Sequence, residues 1–419
     1  MNYFKSLVLS SFLIGISACS AGAQKTEPQF DTAAMDALLL GAVERGEVIG
    51  VQALVFDEGQ TVYRNSFGLA DRERNVPVKS DTVYRVYSMT KPLTSALILD
   101  LREEGKLKLS DPASKYIPQI AQMKVVSLGE DGQPKYEEQK RPITIEDLLL
   151  HRAGMAYGIF GGNPIEIAWG KADLFNGQTT MAENMDKLPA LPLLGQPGEQ
   201  WFYSFSIDVL GRIAEVITER SLEEAMQARF FNPLGMSETS FRVTDNLKPR
   251  FASNYLLQDD GTYRLIEDGQ TSPYTKPGKL ESGGGGLTST ADDWLKFAQL
   301  LLNEGEYNGT RILEAETVRL MMTDHLGGTP SLLPWLGGTT GAGFGYGGAV
   351  QNSATPEQET ASGLYPGQFG WGGAARTDFW VDPENNSIGI IMLQFFRGED
   401  PKIHDDFQAL TLAQTRDDN

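Results

Sequence analysis

A β-hairpin pattern occurs near each end of this chain and leaves a long, mostly helical stretch between the two. Residues 48–56 and 61–67 are rich in β-forming side chains and flank a short polar turn that contains Gly59. Residues 376–381 and 388–395 repeat the pattern around a second polar turn, before a short terminal helix. The simplest compatible fold is of the α/β (α+β) class, with one antiparallel sheet built from both termini, flanked by helices and carrying an inserted lobe.

Helical periodicity marks several segments between these hairpins. Apolar residues recur every three to four positions from 89 to 104, and glycine then ends the pattern. Shorter helical patterns occur at 145–150, 207–219 and 222–231, and a longer one at 290–303. The segment 89–104 is therefore predicted to be a buried amphipathic helix directly after the first hairpin.

The length of 419 residues allows two or three globular units, or one large domain with an insertion. Loops containing proline and glycine alternate with short helices through the middle of the chain. We predict a single domain over 26–419. Its α/β lobe combines 26–105 with 282–419, and its mostly helical lobe spans 106–281.

The amino terminus has the features of an export signal. Lys5 precedes an apolar run that ends near Ala18 and is too short to span a bilayer. The only cysteine, Cys19, follows small residues in a pattern that resembles the bacterial lipobox, so we predict that residues 1–18 are a lipoprotein signal peptide and that Cys19 is lipidated. The alternative is cleavage after Ala23, which leaves a soluble periplasmic or secreted protein. Both interpretations predict a protein exported to the periplasmic side of a bacterial envelope, with Cys19 as its only membrane attachment.

The composition argues against several function classes. The formal net charge of −19 disfavours binding to the phosphate backbone of nucleic acids. With three histidines and one cysteine, and no CxxC pair, the chain offers few of the ligands that zinc or iron sites use. We therefore predict no nucleic-acid partner, no metal and no cofactor.

One tetrapeptide carries a plausible nucleophile. The chain contains no G-x-S-x-G or H-E-x-x-H motif and no phosphate-binding G-x-x-x-x-G-K-[ST] loop. In Ser88-Met89-Thr90-Lys91, however, the hydroxyl and the ammonium are three residues apart, on one face at the start of the predicted helix. A lysine in such a position can help to remove the serine proton, although a chain of this length contains about one such spacing by chance.

Two further segments could contribute to the same chemistry. Tyr203 lies in an aromatic cluster before a predicted helix and could relay protons, although such clusters more often form core packing. In Trp371-Gly372-Gly373-Ala374, paired glycines would let backbone amides approach a ligand closely. The alternative for this second segment is a β-bulge or a tight contact within the sheet.

Together and in this order, these segments resemble the serine β-lactamase and penicillin-binding protein superfamily, in particular the class C β-lactamase branch with its family VIII carboxylesterases. The resemblance covers nearly the whole mature chain and includes Leu148 to His151 with Gly154, Pro197-Gly198, residues 208–212 and residues 282–287. It implies a β-lactamase/transpeptidase-like fold.

The resemblance also implies roles for individual residues. Ser88 would attack an ester or amide carbonyl, with Lys91 and Tyr203 sharing the proton transfers. The backbone amides of Ser88 and Ala374 would form the oxyanion hole, which is effective because its donors are in place before charge develops. Water would then release the acyl group without a cofactor.

Two departures from the family pattern bear on the substrate. Trp371-Gly372-Gly373 replaces the cationic or histidine triad of class C β-lactamases, and it matches the form that is typical of the esterase branch. Phe205 occupies a position where these lactamases usually carry an amide side chain. Arg376 could replace the lost charge or could be a solvated sheet residue. We expect Trp371, Gly372, Gly373, Phe205 and Arg376 to contact the substrate.

The sequence thus predicts an exported serine hydrolase that acts on short-chain or uncharged carboxylic esters through an acyl-enzyme on Ser88, with weak β-lactam hydrolysis possible. The closest alternatives are a β-lactamase and a D-alanyl-D-alanine carboxypeptidase or peptidase, for which a peptidoglycan fragment would be the partner. A less favoured alternative is a non-catalytic envelope lipoprotein that binds a peptide. The G-x-G-x-x-G match at 343–348 lacks a βαβ context, which disfavours dinucleotide binding.

Overall fold

The computed structural model describes residues 30–128, 134–329, 331, 341–396 and 401–415. The predicted signal peptide 1–18, the lipidation site Cys19 and the alternative cleavage site after Ala23 lie outside these residues. Within the described part of the chain, no helix is both long enough and apolar enough to cross a membrane.

Short and long strands are spread over the whole described chain. They are β1 (Gly50–Asp57), β2 (Gln60–Asp71), β3 (Val76–Pro77), β4 (Tyr84–Arg85), β5 (Val125–Leu128), β6 (Pro134–Glu137), β7 (Asn254–Leu257), β8 (Tyr263–Glu267), β9 (Thr288–Ser289), β10 (Glu306–Tyr307), β11 (Thr310–Arg311), β12 (Ala342–Phe344), β13 (Ala349–Gln351), β14 (Phe369–Gly370), β15 (Asp378–Asp382), β16 (Ser387–Met392) and β17 (Phe395–Phe396).

The helices of the described chain vary from less than one turn to nearly four turns. They are α1 (Thr32–Glu44), α2 (Thr90–Glu103), α3 (Ile145–Leu149), α4 (Pro164–Lys171), α5 (Met181–Met185), α6 (Ser206–Thr218), α7 (Leu222–Met226), α8 (Asn232–Leu234), α9 (Ala291–Leu302), α10 (Ala315–Met321), α11 (Pro356–Ser362) and α12 (Ile403–Thr415).

The main sheet confirms the prediction of one antiparallel sheet from both ends of the chain. Its eight strands run in the order β12-β13-β14-β15-β16-β1-β2-β3. The two halves join where β1 pairs with β16, from Gln52 opposite Met392 to Asp57 opposite Ser387. The β1–β2 turn forms as expected, because Glu58 and Gly59 adopt φ angles of 45° and 82°, which suit a tight hairpin.

Helices cover both faces of this sheet. The alternation of β1 sends Val51, Ala53 and Val55 into a core shared with α1 and α12. Leu54 and Phe56 point into the larger core on the opposite face, which α2 and α9 help to form. Because α2 is buried along almost its whole length, the residues at its start are held rigidly against the sheet.

Two local differences from the sequence expectation stand out. The strand predicted over 388–395 divides in two, because β16 ends at Met392 and β17 pairs in parallel with β7 in a separate three-stranded sheet. The helix predicted over 222–231 changes after Met226 into a π-helical turn before α8. Pro233, which lacks an N–H group, occupies the first turn of α8 and prevents a continuous regular ladder there.

Candidate active site

Ser88 lies in a single 3₁₀ turn, Tyr87–Met89, between β4 and the start of α2. The preceding Tyr87 has a φ of 40°, a conformation that an aromatic residue adopts only when its surroundings impose it. The Val86 amide donates to the Leu287 carbonyl oxygen and fixes the backbone just before this turn. The nucleophile candidate is therefore held by a strained, well-anchored backbone.

Lys91 lies one turn after Ser88 and has no exposed surface. Its Nζ is 3.2 Å from Ser88 Oγ, 3.3 Å from the Tyr157 hydroxyl and 2.5 Å from the Gly284 carbonyl oxygen. These three contacts match the three N–H donors of an ammonium group. The predicted proximity of the hydroxyl and the ammonium is confirmed, with Ser88 in the 3₁₀ turn and Lys91 in the first turn of α2.

Tyr203 approaches the same centre from the loop before α6. The Lys91 Nζ lies 4.5 Å from the centre of its ring. The Trp371 indole N–H donates to its hydroxyl oxygen at 3.2 Å. A cation and a hydrogen-bond donor thus both lie against Tyr203, which is the geometry expected of a group that exchanges protons with Ser88.

Tyr157 is a component that the sequence reasoning missed. Burial raises its pKa well above the usual value for tyrosine, so it contributes a neutral hydroxyl to Lys91. The buried carboxylate of Glu166 accepts hydrogen bonds from the amides of Tyr157, Gly158 and Phe160 and so shapes this loop. The available sequence signal is the position of this tyrosine three residues after Gly154, within a segment already identified by resemblance.

The segment 371–374 follows β14 and runs beside the backbone that leads to Ser88. A Cβ atom at Gly373 would lie only 2.4 Å from the Val86 carbonyl oxygen, so this close approach requires glycine. Ser88 and Ala374 both line the same cavity. The role of their backbone amides as an oxyanion hole stays a prediction.

The cavity in front of Ser88 measures about 1200 Å³. Aromatic side chains form much of its described wall, namely Tyr87, Tyr157, Phe160, Phe175, Tyr203, Phe241, Tyr274, Trp371 and Phe396. Three cations, Arg242, Lys276 and Arg376, and one carboxylate, Asp378, also line the described wall. The cavity therefore suits a bulky apolar substrate and could also accommodate a polar group away from Ser88.

The predicted substrate contacts have different outcomes. Trp371, Gly372, Gly373 and Arg376 line the cavity. Arg376 does not belong to a strand, and its φ of 66° places it in the tight turn after Ala374.

Phe205 requires a correction, because it is fully buried and does not line the cavity. Its ring packs on Trp169 and on Phe175, with ring centres 6.2 Å and 5.6 Å apart. Phe205 thus supports the wall from behind Phe175. The spacing from Tyr203 could not reveal this orientation.

A second titratable pair lies on the cavity wall. Asp378 Oδ2 is 3.8 Å from His404 Nδ1 at the start of α12. Burial raises the pKa of Asp378 to about 7 and lowers the pKa of His404 to about 4. This part of the wall therefore changes charge near neutral pH.

His151 plays a structural part just after the end of α3. It is fully buried, and burial together with the Lys91 charge lowers its pKa well below the usual value. Its Nδ1 accepts the Ser204 amide hydrogen at 3.1 Å. A neutral imidazole in this position orients the loop that carries Tyr203.

The glycine segment 343–348 forms the end of β12 and the turn that leads to β13. A Cβ atom at Gly347 would lie 2.4 Å from Ser95 Oγ on α2, and one at Gly345 would lie 2.3 Å from the Met321 carbonyl oxygen. These glycines allow close packing of the sheet edge on helices. No helix begins at this segment, so it lacks the geometry of a dinucleotide cradle.

A family model described as "Beta-lactamase" matches residues 35–413. The chain belongs to the beta-lactamase family. As a beta-lactamase family member, it has the fold expected from the sequence, and the mixed α/β architecture with a large antiparallel sheet is confirmed.

Two similar proteins are named as esterases. Esterase EstB of Burkholderia gladioli is 28% identical over 381 residues, which cover 86% of this chain and 89% of EstB. Lovastatin esterase of Penicillium rubens is 28% identical over 383 residues, covering 86% and 92% of the two chains.

A solved structure of a hydrolase is also similar to this chain. EstCE1, described as a hydrolase with promiscuous acyltransferase activity, superposes with a TM-score of 0.72 at 25% identity, covering 90% of this chain and 97% of EstCE1. This beta-lactamase family member is a serine hydrolase.

Proposed function

We propose that this serine hydrolase cleaves carboxylic esters through an acyl-enzyme on Ser88. The observation that carries the proposal is the contact of Trp371 with Tyr203 at the position where the lactamase branch has a cation. The names of EstB, lovastatin esterase and EstCE1 support the same reaction class. A missing charge-assisted contact of about 1.5–3 kcal/mol weakens a carboxylate-bearing lactam more than an uncharged ester.

The proposed acylation step uses the groups around Ser88. Ser88 Oγ attacks the carbonyl carbon while its proton passes to the Tyr203 oxygen, which the Lys91 ammonium and the Trp371 N–H stabilise as phenolate. The amides of Ser88 and Ala374 donate to the developing oxyanion. The ester C–O bond then breaks, and the proton on Tyr203 moves to the departing alcohol.

Deacylation repeats these steps with water as the nucleophile. Water attacks the acyl carbonyl carbon, and its proton passes to the Tyr203 oxygen. When the carboxylic acid leaves, Ser88 Oγ takes this proton and the starting state is restored. Effective release requires water to reach the acyl group, and the open aromatic cavity provides the space.

The dimensions of the cavity define the proposed substrate range. A volume of about 1200 Å³ exceeds what a short-chain ester occupies. We therefore include esters with bulky apolar groups beside the short-chain esters expected from the sequence. Arg376 on the cavity wall could bind a carboxylate that lies away from the ester, so weak β-lactam hydrolysis remains part of the proposal.

A rate comparison tests this proposal. Purified mature protein is assayed with p-nitrophenyl butyrate, p-nitrophenyl octanoate and a chromogenic cephalosporin, with Ser88→Ala as the inactive control. We expect both esters to be hydrolysed far faster than the cephalosporin. Preference for the cephalosporin would identify a β-lactamase, and inactivity on all three would redirect the search to peptidoglycan peptides or a binding role.

We also propose that the protein is exported and lipid-anchored through Cys19, on the basis of the amino-terminal sequence. Mass spectrometry of the mature protein from its native host tests this proposal. A lipid-modified Cys19 at the amino terminus is the expected result. An amino terminus at Gln24 would support the soluble alternative instead.

A further inference from the structure

We propose that Asp208 is a positioning residue that, through Gly284, keeps Lys91 as a fixed ammonium beside Ser88. The inference deepens the proposed function, because it concerns the same acylation chemistry. Asp208 lies in the first turn of α6, five residues after Tyr203, and has no exposed surface. It reaches the site from a different element than the one that carries Lys91.

A chain of hydrogen bonds connects the carboxylate to the lysine. Asp208 Oδ1 accepts the Ser282 hydroxyl at 2.5 Å and the Gly284 amide at 3.1 Å. The carbonyl oxygen of Gly284 in turn accepts a hydrogen from Lys91 Nζ at 2.5 Å. Asp208 therefore fixes the peptide unit that orients the lysine.

Packing leaves this loop little freedom to move. A Cβ atom at Gly284 would lie 2.2 Å from Asp208 Oδ2, and one at Gly283 would lie 3.0 Å from the Ile207 carbonyl oxygen. Thr94 on α2 donates its hydroxyl hydrogen to the Gly283 carbonyl at 2.7 Å. The glycine run after Ser282 is thus a tight backbone turn between α2 and α6, which presents one carbonyl to Lys91.

The charges around Lys91 support a role beyond packing. The titratable groups that face it are Tyr157, Tyr203, His151 and Asp208, from four different segments. Burial raises the pKa of Asp208, while the Lys91 charge lowers it, so the two groups interact electrostatically. His151 is held neutral by burial, and Asp208 is the one carboxyl group among these four side chains.

The Asp208 carboxylate retains an acceptor without a donor. Within the described chain, its Oδ2 has no hydrogen-bond partner although it is buried. A proton on Oδ2 would leave that O–H without an acceptor, whereas a carboxylate is compensated by the nearby Lys91 charge. All three N–H groups of a Lys91 ammonium already donate to oxygen atoms, so Lys91 has no free lone pair for a proton. This favours Tyr203 over Lys91 as the group that takes the Ser88 proton.

The test is the isosteric substitution Asp208→Asn, which removes the charge and keeps an oxygen acceptor. The readouts are kcat and KM for p-nitrophenyl butyrate, and the rate of Ser88 labelling by a fluorophosphonate, each measured from pH 5 to 10. We expect kcat and the labelling rate to fall about 10- to 100-fold with KM changed less than about threefold. The alkaline half-point of both profiles should move down by about one pH unit or more.

The matched control is Asp293→Asn. Asp293 is also buried and accepts a backbone amide, that of Glu238, and a hydroxyl, that of Thr239, but none of these contacts involves Lys91. We expect this variant to keep the wild-type pH profiles, whatever its effect on thermal stability.

The labelling arm separates this inference from the proposed function. Wild-type protein that reacts with the fluorophosphonate but hydrolyses no ester would contradict ester hydrolysis and still allow the Asp208 test. Wild-type rates, or a lower rate with unshifted profiles in Asp208→Asn, would overturn the inference. If that variant does not fold, Asp208→Ser replaces it, because it also removes the charge and keeps an oxygen atom at this position. A shift in the same direction supports the inference, and an unshifted profile overturns it.

Discussion

Trp371 is expected to act on the rate through Tyr203, and Trp371→Phe isolates that effect. The substitution removes the indole N–H that lies 3.2 Å from the Tyr203 hydroxyl oxygen, while an aromatic ring remains against Phe344. A hydrogen bond to a charged acceptor contributes about 1.5–3 kcal/mol, and a length near the upper end of the normal range favours the lower value. Since about 1.4 kcal/mol corresponds to tenfold in rate, we expect kcat to fall about 10- to 30-fold.

Steady-state kinetics on p-nitrophenyl butyrate tests this expectation. If Trp371 stabilises charge on Tyr203 in the transition state, kcat falls and KM changes less than about threefold. Trp380→Phe is the control, since Trp380 packs on Phe407 on the other face of the sheet, and it should affect stability without changing kcat. An unchanged kcat with a strongly raised KM in Trp371→Phe would refute the reasoning and leave Trp371 as a substrate contact only.

Three further predictions follow from the geometry. Tyr157→Phe removes a hydroxyl 3.3 Å from Lys91 Nζ and should lower kcat about 3- to 30-fold. Tyr203→Phe should lower kcat by about 2–4 orders of magnitude. Equal losses in the same ester assay would contradict this ranking. Gly373→Ala places a methyl group 2.4 Å from a backbone carbonyl and should reduce kcat at least about 100-fold with the protein still folded by circular dichroism. Burial raises the pKa of Asp378 to about 7, so the folded state keeps a proton that the unfolded chain loses above about pH 4. The contribution of Asp378 to the free energy of unfolding therefore declines between about pH 4 and pH 7. With 37% of its side chain exposed, solvent screening reduces this effect to about 1–2 kcal/mol, and urea unfolding of Asp378→Asn at pH 5 and pH 8 should lack it.

The parts of the fold that sequence predicts well depend on local patterns. The β1–β2 hairpin and α2 follow from alternation, helical period and turn residues within about 15 positions of each other. The parallel pairing of Phe395 with Tyr255 joins residues far apart in the chain, and no local pattern encodes it. For the same reason, the hairpin β7–β8 inside the segment 106–281 was not expected.

The active site likewise combines features that local sequence patterns predict with features that depend on long-range packing. The contact of Ser88 with Lys91 follows from their three-residue spacing where the 3₁₀ turn leads into α2, and the resemblance supplied Tyr203 and Trp371. Tyr157 was not predicted, because its loop is shaped by three backbone amides that donate to the buried carboxylate of Glu166. Such contacts produce no periodic pattern in the sequence. The direction of a side chain depends on tertiary packing that motif spacing does not contain.

The central claim is that the Ser88 hydroxyl forms the acyl-enzyme, and direct trapping of that intermediate tests it. Purified protein is mixed with p-nitrophenyl butyrate, quenched in acid within milliseconds to seconds, digested and mapped by mass spectrometry. The account predicts a butyryl group on the peptide that contains Ser88, formed together with a burst of nitrophenol and absent from Ser88→Ala. A butyryl group on another residue, or undiminished turnover by Ser88→Ala, would contradict it.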